Sequence, residues 1–143
     1  MKYIKGIFIL EIFIAVLLLF VFLSHYPIYF GHNGTGVRLM VASAGEGFGV
    51  IHDTDILRII NELYALGLKN FSINGIKIDP YTFVRCVGPS ITINNREIVP
   101  DPLKIEIIGD PDYILSGLSI LIEHLKSCGF SVSALSLEKI VIP

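Results

Sequence analysis

Hydrophobic positions follow two regimes along this chain. Residues 6–24, GIFILEIFIAVLLLFVFLS, are apolar on every side of a helical projection, with Glu11 the single charge. A soluble surface helix would keep one polar face. At about 1.5 Å per residue, about 19 residues of helix span about 28 Å, close to the hydrocarbon thickness of a bilayer. The run therefore predicts a transmembrane anchor at residues 6–24. Lys2 and Lys5 precede it and the next basic residue is Arg38, a bias that places the N-terminus in the cytoplasm and the rest of the chain outside. Tyr3 on one flank and Tyr26, Tyr29 and Phe30 on the other suit an interfacial aromatic belt. A cleaved signal peptide fits less well, because the apolar core is long and Ser24-His25-Tyr26-Pro27 offers no small-residue cleavage pattern. Glu11 sits toward the cytoplasmic end, where a carboxylate can reach the headgroups; the alternative is a contact with another membrane helix.

Beyond the anchor the pattern shortens and alternates. Residues 25–36 hold Pro27, Gly31, Gly34 and Gly36 without periodicity and read as a juxtamembrane linker. Residues 37–42 predict a first strand. The glycines of Gly45-x-Gly47-x-Gly49 follow without the Lys-Ser/Thr ending of a phosphate loop, so a turn is expected there. Ile56, Leu57, Ile59, Ile60, Leu63 and Leu66 then recur with helical spacing, with Asp53 or Thr54 as the expected N-cap and Gly67 as the stop. Short strands are expected at 70–73 and 76–78 around the Asn74-Gly75 hairpin turn. Others are expected at 82–87, closed by Gly88-Pro89, and at 90–93 and 96–99 around Asn94-Asn95. Residues 103–108 alternate so that one face should be wet. Asp110-Pro111 opens a second helix, with a stripe of Ile114, Leu115, Leu118, Leu121, Ile122 and Leu125 and a stop at Gly129. Residues 130–142 complete the chain as a strand whose alternation slips near Leu135.

Two helices, each set between strands, predict an α+β fold. The expected architecture is an N-terminal transmembrane helix plus a two-layer sandwich, a mixed β-sheet with two helices on one face, loosely a split β-α-β arrangement. The expected organisation is anchor at 6–24, linker at 25–36 and extracytoplasmic domain at 37–143. The chain has 143 residues, and what remains after the anchor is enough for one core.

Charge and chemistry narrow the picture. From residue 31 onward there are nine Lys/Arg and twelve Asp/Glu, a net charge of −3, without a basic cluster, so no nucleic-acid partner is expected. The only cysteines are Cys86 and Cys128. Outside a membrane such a pair can form a disulfide, while their apolar contexts favour buried free thiols. His52, Asp53 and Asp55 cluster at the start of the first domain helix, where capping accounts for the acids and no metal or other cofactor is called for. His124 lies beside the apolar stripe of the second helix and reads as a satisfied or exposed histidine. No nucleophile motif occurs, so an enzyme is not expected. Asn74, Arg85 and Asn94 are the polar residues that could line a ligand or partner surface.

The chain resembles the YlxW/YlxX-like family, known as domain of unknown function 881. The likeness is carried by Asn61-Glu62-Leu63, Ser72-Ile73-Asn74-Gly75, Arg85-Cys86-x-Gly88-Pro89, Ile93-Asn94 and Ile108-Gly109-Asp110-Pro111, in that order. The resemblance implies one N-terminal membrane segment and an extracytoplasmic domain, chiefly in Gram-positive bacteria, with genes near those of division and the envelope. It carries over no catalytic residue. Many members place a coiled coil between anchor and domain, whereas only about 25 residues separate the anchor from His52 here. The expected function is that of a single-pass, non-enzymatic envelope or division-associated scaffold. It would sit in the cell membrane and contact the lipid bilayer through its helix and a protein partner through its domain. The alternative is an extracytoplasmic small-ligand or glycan-binding module.

Overall fold

The computed structural model describes residues 2–25, 31–45 and 49–143, which belong to two units, one ending at Phe30 and one running from Gly31 to Pro143. The first unit is helix α1 (Lys2–His25). Its side chains are described for residues 10–22, all of them exposed. Among the described residues no helix is long and apolar enough to cross a membrane, so the transmembrane reading of residues 6–24 stands on the sequence. The aromatic flank of Tyr26, Tyr29 and Phe30 lies outside the described residues, as do Glu46, Gly47 and Phe48 of the glycine-rich loop.

The second unit runs β1 (His32–Ser43), α2 (Asp53–Ala65), β2 (Phe71–Ile73), β3 (Ile76–Lys77), β4 (Val84–Val87), β5 (Ser90–Ile93), β6 (Arg96–Ile98), β7 (Leu103–Ile108), α3 (Pro111–Gly117), α4 (Ser119–Ser127) and β8 (Phe130–Ile142). The main sheet has the order β3-β2-β7-β1-β8, and β4-β5-β6 form a smaller sheet inserted between β3 and β7. The units β1-α2-β2 and β7-α3-α4-β8 interleave. Each returns a strand parallel to its first, but a strand of the other unit lies between them. Every hydrogen-bonded neighbour is therefore antiparallel, which corrects the expected mixed sheet.

Period-two alternation sorts the central strands. Val37, Leu39 and Val41 of β1 lie opposite Ile107, Ile105 and Leu103 of β7, and all six are buried. Ile56, Ile59, Ile60 and Leu63 of α2 close on that row together with Ile114, Leu118, Leu121 and Leu125 from the later helical segment. Ile91, Ile93 and Ile98 of the small sheet join the same core. Burying each such side chain contributes about 1.5–3 kcal/mol. Phe71 adds an edge-to-face contact with Tyr64, ring centroids 5.2 Å apart.

The local signals act largely as the sequence indicates. Asn74 (φ 47°) and Gly75 (φ 75°) make the left-handed pair of a tight hairpin turn. Asp110 caps α3 by accepting from the Tyr113 amide at 2.8 Å. Four details differ. The N-cap of α2 is His52, whose amide donates to the Asp55 carboxylate at 2.9 Å, because Asp53 is drawn elsewhere. The second expected helix bends at Leu118 into α3 and α4, where Gly117 and Ser116 weaken helix propensity, while i→i−4 bonds persist across the bend (Leu118 to Ile114, Ile122 to Leu118). Strand β1 begins at His32, inside the expected linker, because β8 is long enough to pair that far, Ile142 facing His32. The slip on β8 falls at Glu138–Lys139 rather than near Leu135: Gly34 pairs with Ile140 but Gly36 with Leu137, leaving one extra residue on β8.

The face of the central strands that turns away from the helices carries a charged cluster beside the apolar Met40 and Leu135. Arg38 lies directly opposite Glu106. Its Nε and Nη2 donate to Glu106 Oε1 at 3.0 and 2.7 Å, and Lys104 Nζ lies 3.2 Å from Oε2. Burial pushes the Glu106 carboxyl up, but hydrogen bonds from Arg38 and Lys104 and their charges outweigh it and hold it below its ordinary value of 4.5. A depressed carboxyl stabilises the fold above its unfolded value and loses that contribution as pH falls through the folded one. Glu106→Gln should thus lower the urea midpoint near neutrality, and its deficit against the wild type should shrink below about pH 4.5. A deficit constant across that range would contradict the assignment. Gly36 is a second pressure point: a Cβ there would collide with the Ile107 carbonyl oxygen and lie 3.0 Å from Ile108 Cα. Gly36→Ala should cost about 1–3 kcal/mol in chemical denaturation.

Candidate functional site

Helix α2 shows its apolar stripe to the core and its remaining sides to two clefts. The larger, about 380 Å³, lies between α2 and the later helical segment and is lined by Arg58, Glu62, Gly117, Ile120, Leu121 and His124. Its walls are fixed by contacts at one end. Tyr113 Oη donates to the Leu66 carbonyl at 3.0 Å, and Leu66 packs so closely on Gly117 that a Cβ there would lie 2.7 Å from a Leu66 methyl. Across the cleft Arg58 Nη1 meets His124 Nε2. A guanidinium only donates, so the imidazole accepts at that nitrogen. Cys128 Sγ lies 3.6 Å from the same nitrogen. Glu62, one turn after Arg58, lines the cleft without an ion pair to it among the described residues. Arginine preceding glutamate is the poorer order for an i, i+4 pair.

The smaller cleft, about 260 Å³, lies on another side of α2, between Tyr64, Asn61, Asp79 and Thr82. The Tyr64 hydroxyl is buried there without a hydrogen-bond partner among the described residues. Burial pushes the phenol up, and the nearby Asp79 charge adds to the shift.

The residues singled out in the sequence are placed apart from both centres of interest. Asn74 accepts from the Lys104 amide at 2.7 Å and donates to the Val99 carbonyl at 3.3 Å, pinning the β2–β3 turn to the approach of β7. Asn94 accepts from the Phe83 amide at 3.2 Å. Arg85 is exposed on β4, opposite Thr92. None of the three lines either cleft. Asp53 does not gather with His52 and Asp55 around a common point. It accepts from the Cys86 amide at 3.0 Å and from the Thr54 amide at 2.8 Å, while its own amide donates to Cys86 Sγ at 3.2 Å. The Cys86 amide bond outweighs desolvation and holds the Asp53 carboxyl below its ordinary value. This reciprocal bridge ties the start of α2 to the small sheet, and it is the reason the cap passes to His52. Among the described residues no three His, Cys, Asp or Glu side chains gather in a metal-binding group. Cys86 and Cys128 are both free, the first half-buried and the second exposed, which corrects the expected burial of Cys128. It lies past the end of α4, off the apolar stripe.

Arg58 and Glu62 were not evident as site residues in the sequence. Their one-turn spacing on the polar side of α2 was the available signal, but only the tertiary packing brings His124 across from them.

Known proteins match this chain in sequence and in fold. Residues 30–143 match the family described as "Bacterial protein of unknown function (DUF881)". The UPF0749 protein YlxW of Bacillus subtilis (strain 168) is 32% identical over 76% of this chain, and the match spans 52% of that protein, about half its length. The crystal structure of an uncharacterized conserved protein from Mycobacterium tuberculosis superposes with a TM-score of 0.67 at 24% identity, covering 78% of this chain and 80% of the other, a likeness of fold. By the extent of the family match and the identity to YlxW, this chain belongs to the DUF881 family of bacterial proteins.

Proposed function

We propose that the protein is a membrane-tethered, non-enzymatic interaction domain that holds an envelope protein close to the outer face of the cell membrane. The observation that carries this reading is the outer edge of β8. This strand has 13 residues, pairs with β1 on one side and closes the sheet order on the other. Its stretch Phe130-Ser131-Val132-Ser133-Ala134-Leu135-Ser136-Leu137 has neither charge nor proline. Edge strands that must stay solitary usually carry one of these, or are kept short. An uncharged edge of this length offers main-chain donors and acceptors to an extended segment of a partner, with Leu135, 57% exposed, available for a side-chain contact.

Tethering is supported by α1, whose exposed residues 10–22 include Leu10, Phe13, Leu18 and Phe20. A helix apolar on all sides is stable in a bilayer or against another apolar surface, not in water. With Lys2 and Lys5 on its N-terminal side, the positive-inside bias directs the domain outward.

A photo-crosslinking residue at position 135, in the full chain in living cells, tests the reading. It should capture an envelope or division protein, whereas the same residue at Tyr81, which is 92% exposed on a distant loop, should not. Ala134→Lys should abolish the capture by placing a charge on the edge. Recovery of no such protein at 135, or equal labelling from position 81, would defeat the scaffold reading. Protease added to intact protoplasts should digest the domain; protection would defeat its outward placement.

A further inference from the structure

We propose that the cleft between α2 and the α3–α4 segment binds a zwitterionic α-amino acid or short peptide with an apolar side chain, the carboxylate on Arg58 and the ammonium on Glu62. An ion pair that the helix spacing permits does not form here. Arg58 and Glu62 are one helical turn apart, a spacing of about 5–6 Å between Cβ atoms that lets opposite charges meet. Here they stay unpaired among the described residues while lining the same cleft of about 380 Å³. Arg58 is drawn instead to His124 on the opposite wall. That contact uses one of the five guanidinium N–H groups. Among the described residues no hydrogen bond or ion pair occupies the rest.

The result is a guanidinium held in orientation from the opposite wall, with donors left for a carboxylate. Arginine is suited to that role because its planar fork matches a carboxylate in two parallel hydrogen bonds. His124 does not itself need to touch the ligand; it is a positioning residue. Glu62 sets the charge of what can enter. A simple anion would meet repulsion from it, whereas a molecule bearing an ammonium beside its carboxylate satisfies both side chains.

The remaining wall selects the rest of the ligand. Leu121 and Ile120 line it, with Ile120 83% exposed, and Gly117 brings no side chain of its own. An aliphatic side chain laid along Ile120 would remove apolar surface on both partners from water. The volume falls within the range of pockets that hold small molecules. Free amino acids and short peptides share this chemistry, and the two sources differ in the separation of their charges.

Calorimetric titration of the full chain in detergent micelles tests the site, with L-leucine and L-leucyl-L-leucine as probes and N-acetyl-leucinamide as the uncharged analogue. At least one zwitterion should bind saturably and the uncharged analogue should not; which zwitterion binds more tightly identifies the source. Arg58→Gln and Glu62→Gln should each weaken binding by about ten-fold or more, as expected for losing a hydrogen bond to a charged group. His124→Gln, which keeps an acceptor for Arg58, should weaken it less than His124→Ala. Thermal unfolding of all four variants should match the wild type, since the three side chains are exposed. Absence of saturable binding by both zwitterions, equal binding of the uncharged analogue, or indifference to Arg58→Gln would overturn the proposal. Failure of this titration leaves the β8 crosslinking result untouched, because the two surfaces share no residue.

Discussion

Arg38 and Glu106 meet across the β1–β7 ladder in the same register that sets Leu39 opposite Ile105 on the other face. These two strands are the middle of the fold, and their pairing is specified twice. A slip of β1 by one residue would carry Arg38 into the apolar layer and bring Leu39 out to the face that holds Glu106. Either half of that exchange is costly, and together they leave one register. The close approach at Gly36 adds a third restraint, since that strand crossing admits no side chain. Everything else is placed by reference to this pair: β2 and β8 attach to its two sides, and the helices cover its apolar face.

Helix α2 then distributes the consequences. Its buried stripe faces the core, its N-terminus is tied to the small sheet by the exchange of hydrogen bonds between Asp53 and Cys86, and its C-terminus is tied to α3 through Tyr113. Held at both ends, it presents Arg58 to the cleft that His124 lines from the other side. The side chains on its exposed sides face whatever the neighbouring elements present, which is His124 in one cleft and Asp79 in the other.

Much of this architecture was legible in residues with a single local meaning. Asn74-Gly75 forces a tight turn, Asp110-Pro111 starts a helix, and the stripe from Ile56 to Leu63 can only face a core. Where structure and sequence pattern differ, the deciding partner is distant in sequence. His32 belongs to a strand because Ile142 lies beside it, over a hundred positions away. Asp53 gave up the cap because the Cys86 amide competes for its carboxylate. The antiparallel sheet follows from interleaving two units, which no window of the chain reveals. The candidate site shows the same division. His124 was visible as a residue, but its opposition to Arg58 and Glu62 exists only after α2 and α4 have packed. Asn74 and Asn94 are polar turn residues whose side chains the turns themselves use.

The long β1–β8 ladder has a mechanical meaning. The chain enters the domain at His32, at one end of a strand that is hydrogen-bonded to β8 on one side and, over six residue pairs, to β7 on the other. Suppose a partner grips the far edge of β8 while the chain ahead of His32 is pulled along the strand axis. The load then runs parallel to the strands and is shared by many hydrogen bonds at once, where a perpendicular pull would break them in succession. Antiparallel strands loaded this way resist as a lap joint resists. The same geometry that gives the sheet its order would let a small domain carry tension between two attachment points without unravelling from its first strand.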